Sequence, residues 1–313
     1  MPEPLNPLVS VLIVNFNVKE LLLQCLEALY TNTDVPIEVV VVDNASVDGS
    51  SDAVAEHFPD VKLVRSAKNH GFGRANNVGL ELCNGRFVLL LNPDVTVDPG
   101  CVGRLADFLL TRQDAAAVGP QLRFPNGDVD PDGRRAFPVP SNLFYRTVGL
   151  SRLFPRHPVF GRHNMGHLPD TDVHEMDAGT AACLMFRKTA IDRVGFFDPR
   201  YFMFGEDLDL CYRLKLGGWK IFYTPAATAV HHKGAAVSQS HGRMLFQKHR
   251  AMWAYHSKHH ADDLSAFGNG LVWAAIWGRW AARAAVAAGS AAGSAARSTR
   301  QKPPLEEPPP EAS

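Results

Sequence analysis

The sequence predicts an α/β protein with a mostly parallel central sheet flanked by helices, followed by a C-terminal helical extension. Three observations carry this. From Val9 to about Leu122, short apolar runs rich in β-branched residues alternate with helix-length segments, the pattern of βαβ units. From Phe124 to about Val173 the periodicity stops and Pro, Gly, Arg and His accumulate, which reads as long loops or a lid. After Ser238 the chain turns helical and basic.

The strands are predicted at SVLIVNF, IEVVVVD, VKLVR, RFVLLLN and AAVGPQL. Helices are predicted between them at 19–31, 50–57, 74–83 and 100–111, each with apolar residues at helical spacing. Order returns at AGTAACLMFR, predicted as one strand, with helices at 189–194 and 207–216. WKIFYT and ATAVHH are predicted as a strand pair closing the domain. Trp273, Trp277 and Trp280 recur at i, i+4 and i+7, on one face of a helix. Beyond Gly289, an Ala/Gly/Ser run and QKPPLEEPPPEAS have the composition of a disordered tail.

With 313 residues and 46% apolar content the chain can bury a substantial core. Lysine plus arginine equal aspartate plus glutamate at 32 each, so no global field draws it to nucleic acid. Five cysteines without a C-x-x-C pair read as reduced, packed thiols, and the start MPEPLNPLVS has neither the basic residues nor the apolar stretch of a signal peptide. A cytoplasmic location is expected on these grounds.

Candidate chemistry sits at the ends of the predicted strands, where open α/β sheets bind ligands. Asp43 ends the second strand and can accept from a ribose hydroxyl or a pyrimidine imide; equally, Asp43 and Asn44 can make an Asx-turn. In NHGFGRANNVGL two glycines allow close approach of backbone to a ligand, and Arg74 opens a helix beside them, an arrangement that suits a diphosphate or is an ordinary loop. In LNPDV, Asp94 projects beyond the strand as an oxygen ligand for a hard cation or as part of a plain turn. His231 or His232 can join it, but adjacent strand residues point to opposite faces, so at most one does. In YFMFGEDLDLCYRLKLGGWK, Glu206, Asp207 and Asp209 crowd a helix start. Acids there favour the helix dipole, while packing like charges raises a carboxyl pKa as a general base requires.

SVLIVNFN, VVDNASVDGS, NHGFGRANNVGL, LLLNPDV, GEDLDLCYRLKLGGWKI and AVHHKGAAVS occur in this order, and the set resembles the family 2 glycosyltransferases, especially their bacterial rhamnosyltransferase-like branch, over roughly residues 8 to 260. The resemblance implies a GT-A, Rossmann-like fold and an inverting hexosyltransferase. Residues 1–260 would form its catalytic domain, with a nucleotide-sugar-binding half at 8–122 and an acceptor-binding half at 123–260. Residues 261–289 would form an amphipathic helix at a membrane surface or packed on the domain, and 290–313 the tail. The implied donor is a dTDP- or UDP-sugar, with dTDP-rhamnose the best match. The acceptor is a glycan or a polyprenyl-diphosphate-linked sugar in cell-wall or polysaccharide synthesis, met at the inner face of the cell membrane.

The implied donor site comprises Asn15, Asp43, Asn44, Arg74, Asn76 and Asn92. Mg²⁺ or Mn²⁺ would be held by Asp94 and His231. Asp207 matches the base of the family's E-D pair, Glu206 would shape its surroundings, and Trp219 would line the acceptor side. Asn92 stands where the family's D-x-D motif usually has its first aspartate, which removes a charge from the metal site. The rival readings are a sugar nucleotidyltransferase, for which NFNVKELL is the wrong opening loop, and a non-catalytic sugar-nucleotide or glycan-binding scaffold.

Overall fold

The computed structural model describes residues 7–139, 145, 149–233 and 241–300. The chain divides into two units, residues 1–239 and 240–313.

In the first unit β1 (Val9–Asn15), β2 (Ile37–Asp43), β3 (Lys62–Arg65) and β4 (Phe87–Leu91) lie parallel in the order β3-β2-β1-β4. The crossovers are α1 (Lys19–Asn32), α2 (Ser50–His57) and α3 (Phe72–Leu80). All seven residues of β1 are buried, because helices cover both faces of the sheet, so the strand reads as a near-continuous apolar run. Successive side chains still diverge. Val11 and Ile13 pack with Leu22, Leu26 and Leu105 on one face, and Leu12 and Val14 pack with Ala75, Leu210 and Leu214 on the other.

Past β4 the chain forms β5 (Val95–Val97), α4 (Cys101–Thr111) and β6 (Ala115–Arg123). It continues through β7 (Arg134–Arg135), α5 (Leu150–Leu153), β8 (His174–Met176) and β9 (Ala178–Gly179). Then come β10 (Cys183–Arg187), α6 (Lys188–Val194), α7 (Glu206–Leu216) and β11 (Lys220–His231). The sheet extends as β4-β10-β6-β11-β5, and β8 pairs with β11. β10 is antiparallel to both β4 and β6, so the parallel set expected through residue 122 is split by a strand from later in the chain.

Two further expectations are corrected. AGTAACLMFR is broken by a turn at 180–182, and its first part, β9, leaves the main sheet to pair with β7. WKIFYT and ATAVHH are not a pair but one strand, β11, both halves of which pair with β6 across a register shift between Thr224 and Thr228. Pro225, which has no N–H to give the ladder, lies in that shift.

The strand order reverses between β1 and β4, and at such a switch point a crevice opens beyond the carboxyl ends of the strands. Asn15, Asp43, Asn92 and His231 all fall at that edge.

The second unit holds α8 (His241–His259) and α9 (Ala266–Arg300). α9 runs past residue 289, where composition ended it, as an alanine-rich segment can, since alanine has the highest helix propensity; residues 301–313 lie outside the described residues. Trp277 and Trp280 pack against Phe246 of α8, with ring centroids 5.5 and 6.0 Å apart, and so are not an outward face with Trp273.

Candidate active site

At the β1/β2 end, Asn15 Nδ2 donates to Asp43 Oδ1 at 3.0 Å. Asp43 also accepts from Ser46 Oγ, from Ser51 Oγ (2.6 Å) and from the Ser46 backbone N–H (3.3 Å). Four donors thus occupy a carboxylate with about four lone-pair positions; the backbone bond comes from the third residue on, Ser46, and not from the second as an Asx-turn requires. Asn15 Oδ1 is different: it is buried without a hydrogen-bond partner among the described residues. Asn44 is a brace. Its Nδ2 reaches Asn69 Oδ1 (3.1 Å) and Gly71 O (3.3 Å), while its Oδ1 accepts from His70 N (2.9 Å).

The glycines of NHGFG serve the protein's own backbone. A Cβ on Gly71, whose φ is +82°, would lie 2.3 Å from Phe202 O, and one on Gly73 would lie 3.2 Å from Tyr201 O. Phe72 N donates to that same Phe202 carbonyl at 2.7 Å. The loop therefore clasps the segment leading into α7. Gly71→Ala, which adds both a clash and a strained φ, is expected to cost about 1–3 kcal/mol, read as a lower urea midpoint with unchanged slope. Arg74 is exposed, its Nε on Pro199 O at 3.2 Å. Asn76 is buried, with Nδ2 on Phe72 O (2.9 Å) and Oδ1 unpartnered among the described residues.

β5, too short to be legible as a strand, brings the cation ligands expected from the resemblance together. It pairs antiparallel with β11, setting Val95 opposite His231, and His232 N donates to Asp94 O at 2.8 Å. His231 Nε2 lies 3.6 Å from Asp94 Oδ1. Its Nδ1 meets Asp130 Oδ2 at 3.0 Å, and Asp130 is itself held by Lys233 Nζ (2.7 Å) and Asp132 N (3.0 Å). His232 points the other way, its Nε2 3.4 Å from Thr96 Oγ1, as strand alternation requires. Among the described residues, no three His, Cys, Asp or Glu side chains gather as a metal cage.

The three acids of α7 part company. Asp209 pairs with Arg213 (2.8 Å), which also donates to Val194 O and Gly195 O. Asp207 Oδ2 pairs with Arg135 Nη2, and its Oδ1 accepts from Leu208 N at 2.8 Å. Arg135, from β7, donates to Gly179 O at 2.8 Å as well. Burial opposes the charge on this guanidinium most, and Asp207 beside it, together with Cys211 and Asp132, still raises its pKa. Ala181 N donates to Asp207 Oδ2 at 3.5 Å, and the next residue's carbonyl, Ala182 O, accepts from Asn92 N at 2.8 Å. One turn therefore carries Asp207 on one side and the Asn92–Pro93–Asp94 turn on the other.

Glu206 is the carboxyl that like charge and burial perturb. It is 5% exposed, and its Oε2 has no partner among the described residues. Burial, and then the charge of Asp207, push it up to about 8, so it keeps its proton at neutral pH. Between its ordinary value of 4.5 and about 8 the native state binds more protons than the unfolded chain, so this group's contribution to stability is lost as pH rises through that window. Glu206→Gln is expected to remove that loss. Its urea midpoint should rise relative to the parent's between pH 5 and 8.5, and parallel pH profiles would show that Glu206 is not buried as an acid.

Trp219 stands apart from all of these. It follows the carboxyl end of α7 and precedes Lys220, the first residue of β11, at the amino edge of the sheet, and its Nε1 is buried without a partner among the described residues. An 11-residue helix is about 16 Å long, so Trp219 does not line a site built at Asp207. Arg135 and Asp130 were missed in the sequence because both lie in the stretch without periodicity; a short charged run beside a predicted loop was their only signal.

The family model described as Glycosyl transferase family 2 matches residues 10–194, and that of Glycosyl transferase family group 2 matches residues 160–296. The N-acetylglucosaminyl-diphospho-decaprenol L-rhamnosyltransferase of Mycobacterium tuberculosis (strain ATCC 25618 / H37Rv) is 30% identical over 75% of this chain and 80% of its own length. Rhamnosyltransferase WbbL of Escherichia coli (strain K12) is 24% identical, over 72% and 83%. Among solved structures, the Pyrobaculum calidifontis mannosyltransferase in complex with GDP-Man and Mn²⁺ superposes with a TM-score of 0.56 at 19% identity, covering 93% of this chain and 80% of that one.

Proposed function

Because the chain belongs to glycosyl transferase family 2, and is therefore a glycosyltransferase, we propose that it moves L-rhamnose from dTDP-rhamnose to a hydroxyl of a polyprenyl-diphosphate-linked sugar, with inversion at the anomeric carbon. The observation that carries this reading is the 180–182 turn, which sets the Arg135-held Asp207 beside the Asn92–Pro93–Asp94 turn at the sheet's carboxyl edge. Sugar and acceptor follow the relatives that carry those activities.

Asn15, with its open Oδ1, takes a donor hydrogen of the nucleobase, and Asp43 holds Asn15 in place. Asn44 and Asn76 shape the loop over the donor, with Arg74 at its rim and Asn92 at the turn below. Asp207 Oδ accepts the proton of the acceptor hydroxyl as its oxygen attacks C1 from the face opposite the leaving diphosphate. Arg135 orients that carboxylate, and the protonated Glu206 behind it adds no second charge. Asp94 and His231, a carboxylate and an imidazole 3.6 Å apart and both buried, fit a divalent cation and would be the residues to hold it. When bound, such an ion would neutralise charge on the leaving diphosphate.

A thermal-shift comparison tests the donor. dTDP-rhamnose with Mn²⁺ should raise the melting temperature more than UDP- or GDP-sugars at equal concentration. A larger shift with a UDP-sugar would overturn the rhamnose assignment.

No helix among the described residues is long and apolar enough to cross a membrane. The reading at the membrane is peripheral. On α9, Phe267, Leu271 and Val286 are 77%, 56% and 74% exposed and share one face with exposed Ala274, Ala275, Ala282 and Ala285. Among residues 241–287, six lysines and arginines stand against two aspartates, which suits anionic head groups. In flotation with anionic liposomes, Phe267→Glu/Leu271→Glu should lose most binding; binding equal to the parent's would refute a lipid-facing α9.

A further inference from the structure

Between β7 and β8 the chain makes an excursion whose charge is one-sided. From Arg134 to Pro169 it carries six arginines and three histidines and no aspartate, glutamate or lysine, in a chain whose lysines plus arginines equal its acids at 32 each. Its two ends are tied together. Arg134 pairs with Asp170 and donates to Pro169 O at 3.2 Å, Asn164 Nδ2 donates to Pro131 O at 2.8 Å, and Ala136 N donates to His163 O at 2.9 Å. A loop that leaves and returns at one place is held at its root and presents its tip. Arg134 and Arg135 are engaged at that root, by Asp170 and Asp207. Arg152, Arg156 and Arg162 are exposed and form no salt bridge among the described residues.

The tip is built by its own residues. Pro155 follows the end of α5, where Phe154 N donates to Leu150 O at 2.9 Å, His157 N to Phe154 O at 3.2 Å and Gly161 N to His157 O at 2.8 Å. The Phe160 ring stacks on His157 at 4.5 Å and meets Phe154 and Tyr145 at 6.0 and 5.1 Å. Every residue from Arg152 to Val159 is nonetheless exposed, with Leu153 at 72%, Phe154 at 51% and Val159 at 46%. Single exposed apolar residues are ordinary. Three within seven residues, interspersed with arginines that no acid answers, form a surface with a partner to match. A bilayer with anionic head groups supplies both halves of the match, an apolar boundary for the side chains and phosphates for the guanidinium groups. A second copy of the chain would set arginine against arginine across a two-fold axis. A nucleic acid would answer the charge and leave Leu153 and Val159 in water.

We propose that residues 152–159 dock on an anionic bilayer, with Leu153, Phe154 and Val159 in the head-group boundary and Arg152 and Arg156 on lipid phosphates. The inference rests on the peripheral reading of the protein but not on α9. The full chain is floated with vesicles of phosphatidylcholine alone and of phosphatidylcholine mixed with phosphatidylglycerol. The parent should bind the mixed vesicles and bind the neutral ones far less. Leu153→Glu/Phe154→Glu should weaken binding to mixed vesicles by about 10-fold or more, and Arg152→Gln/Arg156→Gln by about 5-fold per arginine, each with the parent's urea midpoint. Leu216→Glu, at a 71% exposed position ending α7, should bind as the parent does. Two weak contacts on one chain multiply, so Phe267→Glu/Leu271→Glu loses binding as well, and the variants tell the two surfaces apart. Loop variants that bind like the parent while the α9 variant does not would overturn the proposal and leave α9 standing. The reverse would remove α9 and leave the loop. Equal loss in the loop variants and Leu216→Glu, equal binding to both kinds of vesicle, or no vesicle binding by the parent would also overturn it. So would a parent dimer, seen by sedimentation, that Leu153→Glu/Phe154→Glu dissolves in the absence of any vesicle binding, since the tip would then belong to a second copy.

Discussion

Asp207→Asn should lower kcat by about 10²–10⁴-fold, the span expected when a positioned proton acceptor is lost, with donor KM nearly unchanged. The side chain stays isosteric, so Leu208 N can still be satisfied, but the charge that pairs with Arg135 is gone. Part of the effect is then structural. Removing one partner of a largely buried pair costs about 3–5 kcal/mol, and the two side chains are 18% and 11% exposed. The two contributions separate experimentally. A base is missed in kcat at temperatures where circular dichroism shows the variant folded, whereas a purely structural residue loses activity only along with folded protein. Turnover within a few-fold of the parent by folded Asp207→Asn would remove it from the base role.

The second large effect is expected at Asp94. Asp94→Ala should weaken donor binding by about 100-fold or more in Mn²⁺, as loss of a ligand exceeds the roughly 10–100-fold cost of disturbing a ligand's support. In EDTA the parent and the variant should bind alike, since the donor would then be held by Asn15 and the loop at 69–76 alone. Asp94 lies 3.6 Å from His231, which Asp130 orients through Nδ1 at 3.0 Å. Removing the carboxylate would therefore leave one imidazole of the two ligands proposed. Equal loss in Mn²⁺ and EDTA would mean that Asp94 supports the fold of the turn and not an ion.

The parallel half was legible because β1, β2 and β4 are buried on both faces, and such strands write themselves as unbroken apolar runs. What was not legible was built from long-range pairing. β5, β7 and β9 have three residues or fewer, too few to show a period. They place Asp94 beside His231 and Arg135 beside Asp207, the latter pair 72 residues apart in sequence. The charge crowding at Glu206, Asp207 and Asp209 pointed to the right helix start but to the wrong consequence. A distant arginine claims Asp207, a local one claims Asp209, and the perturbed proton stays on Glu206. The glycines of NHGFG were legible as a close approach, yet the partner is the backbone of Tyr201 and Phe202. Trp219 was assigned by motif order, and its distance from Asp207 emerged only when α7 was seen to run from one edge of the sheet to the other.

In the proposed reaction Asp207 activates an acceptor hydroxyl for direct displacement at the sugar's anomeric carbon. Its most direct measurement is the anomeric configuration of the product, read by the one-bond C1–H1 coupling in NMR after incubating the protein with dTDP-rhamnose, Mn²⁺ and alkyl-diphosphate-linked N-acetylglucosamine. A rhamnosylated product whose configuration is inverted relative to the donor is expected. A product of retained configuration, or none from any nucleotide sugar that the protein binds, would contradict it.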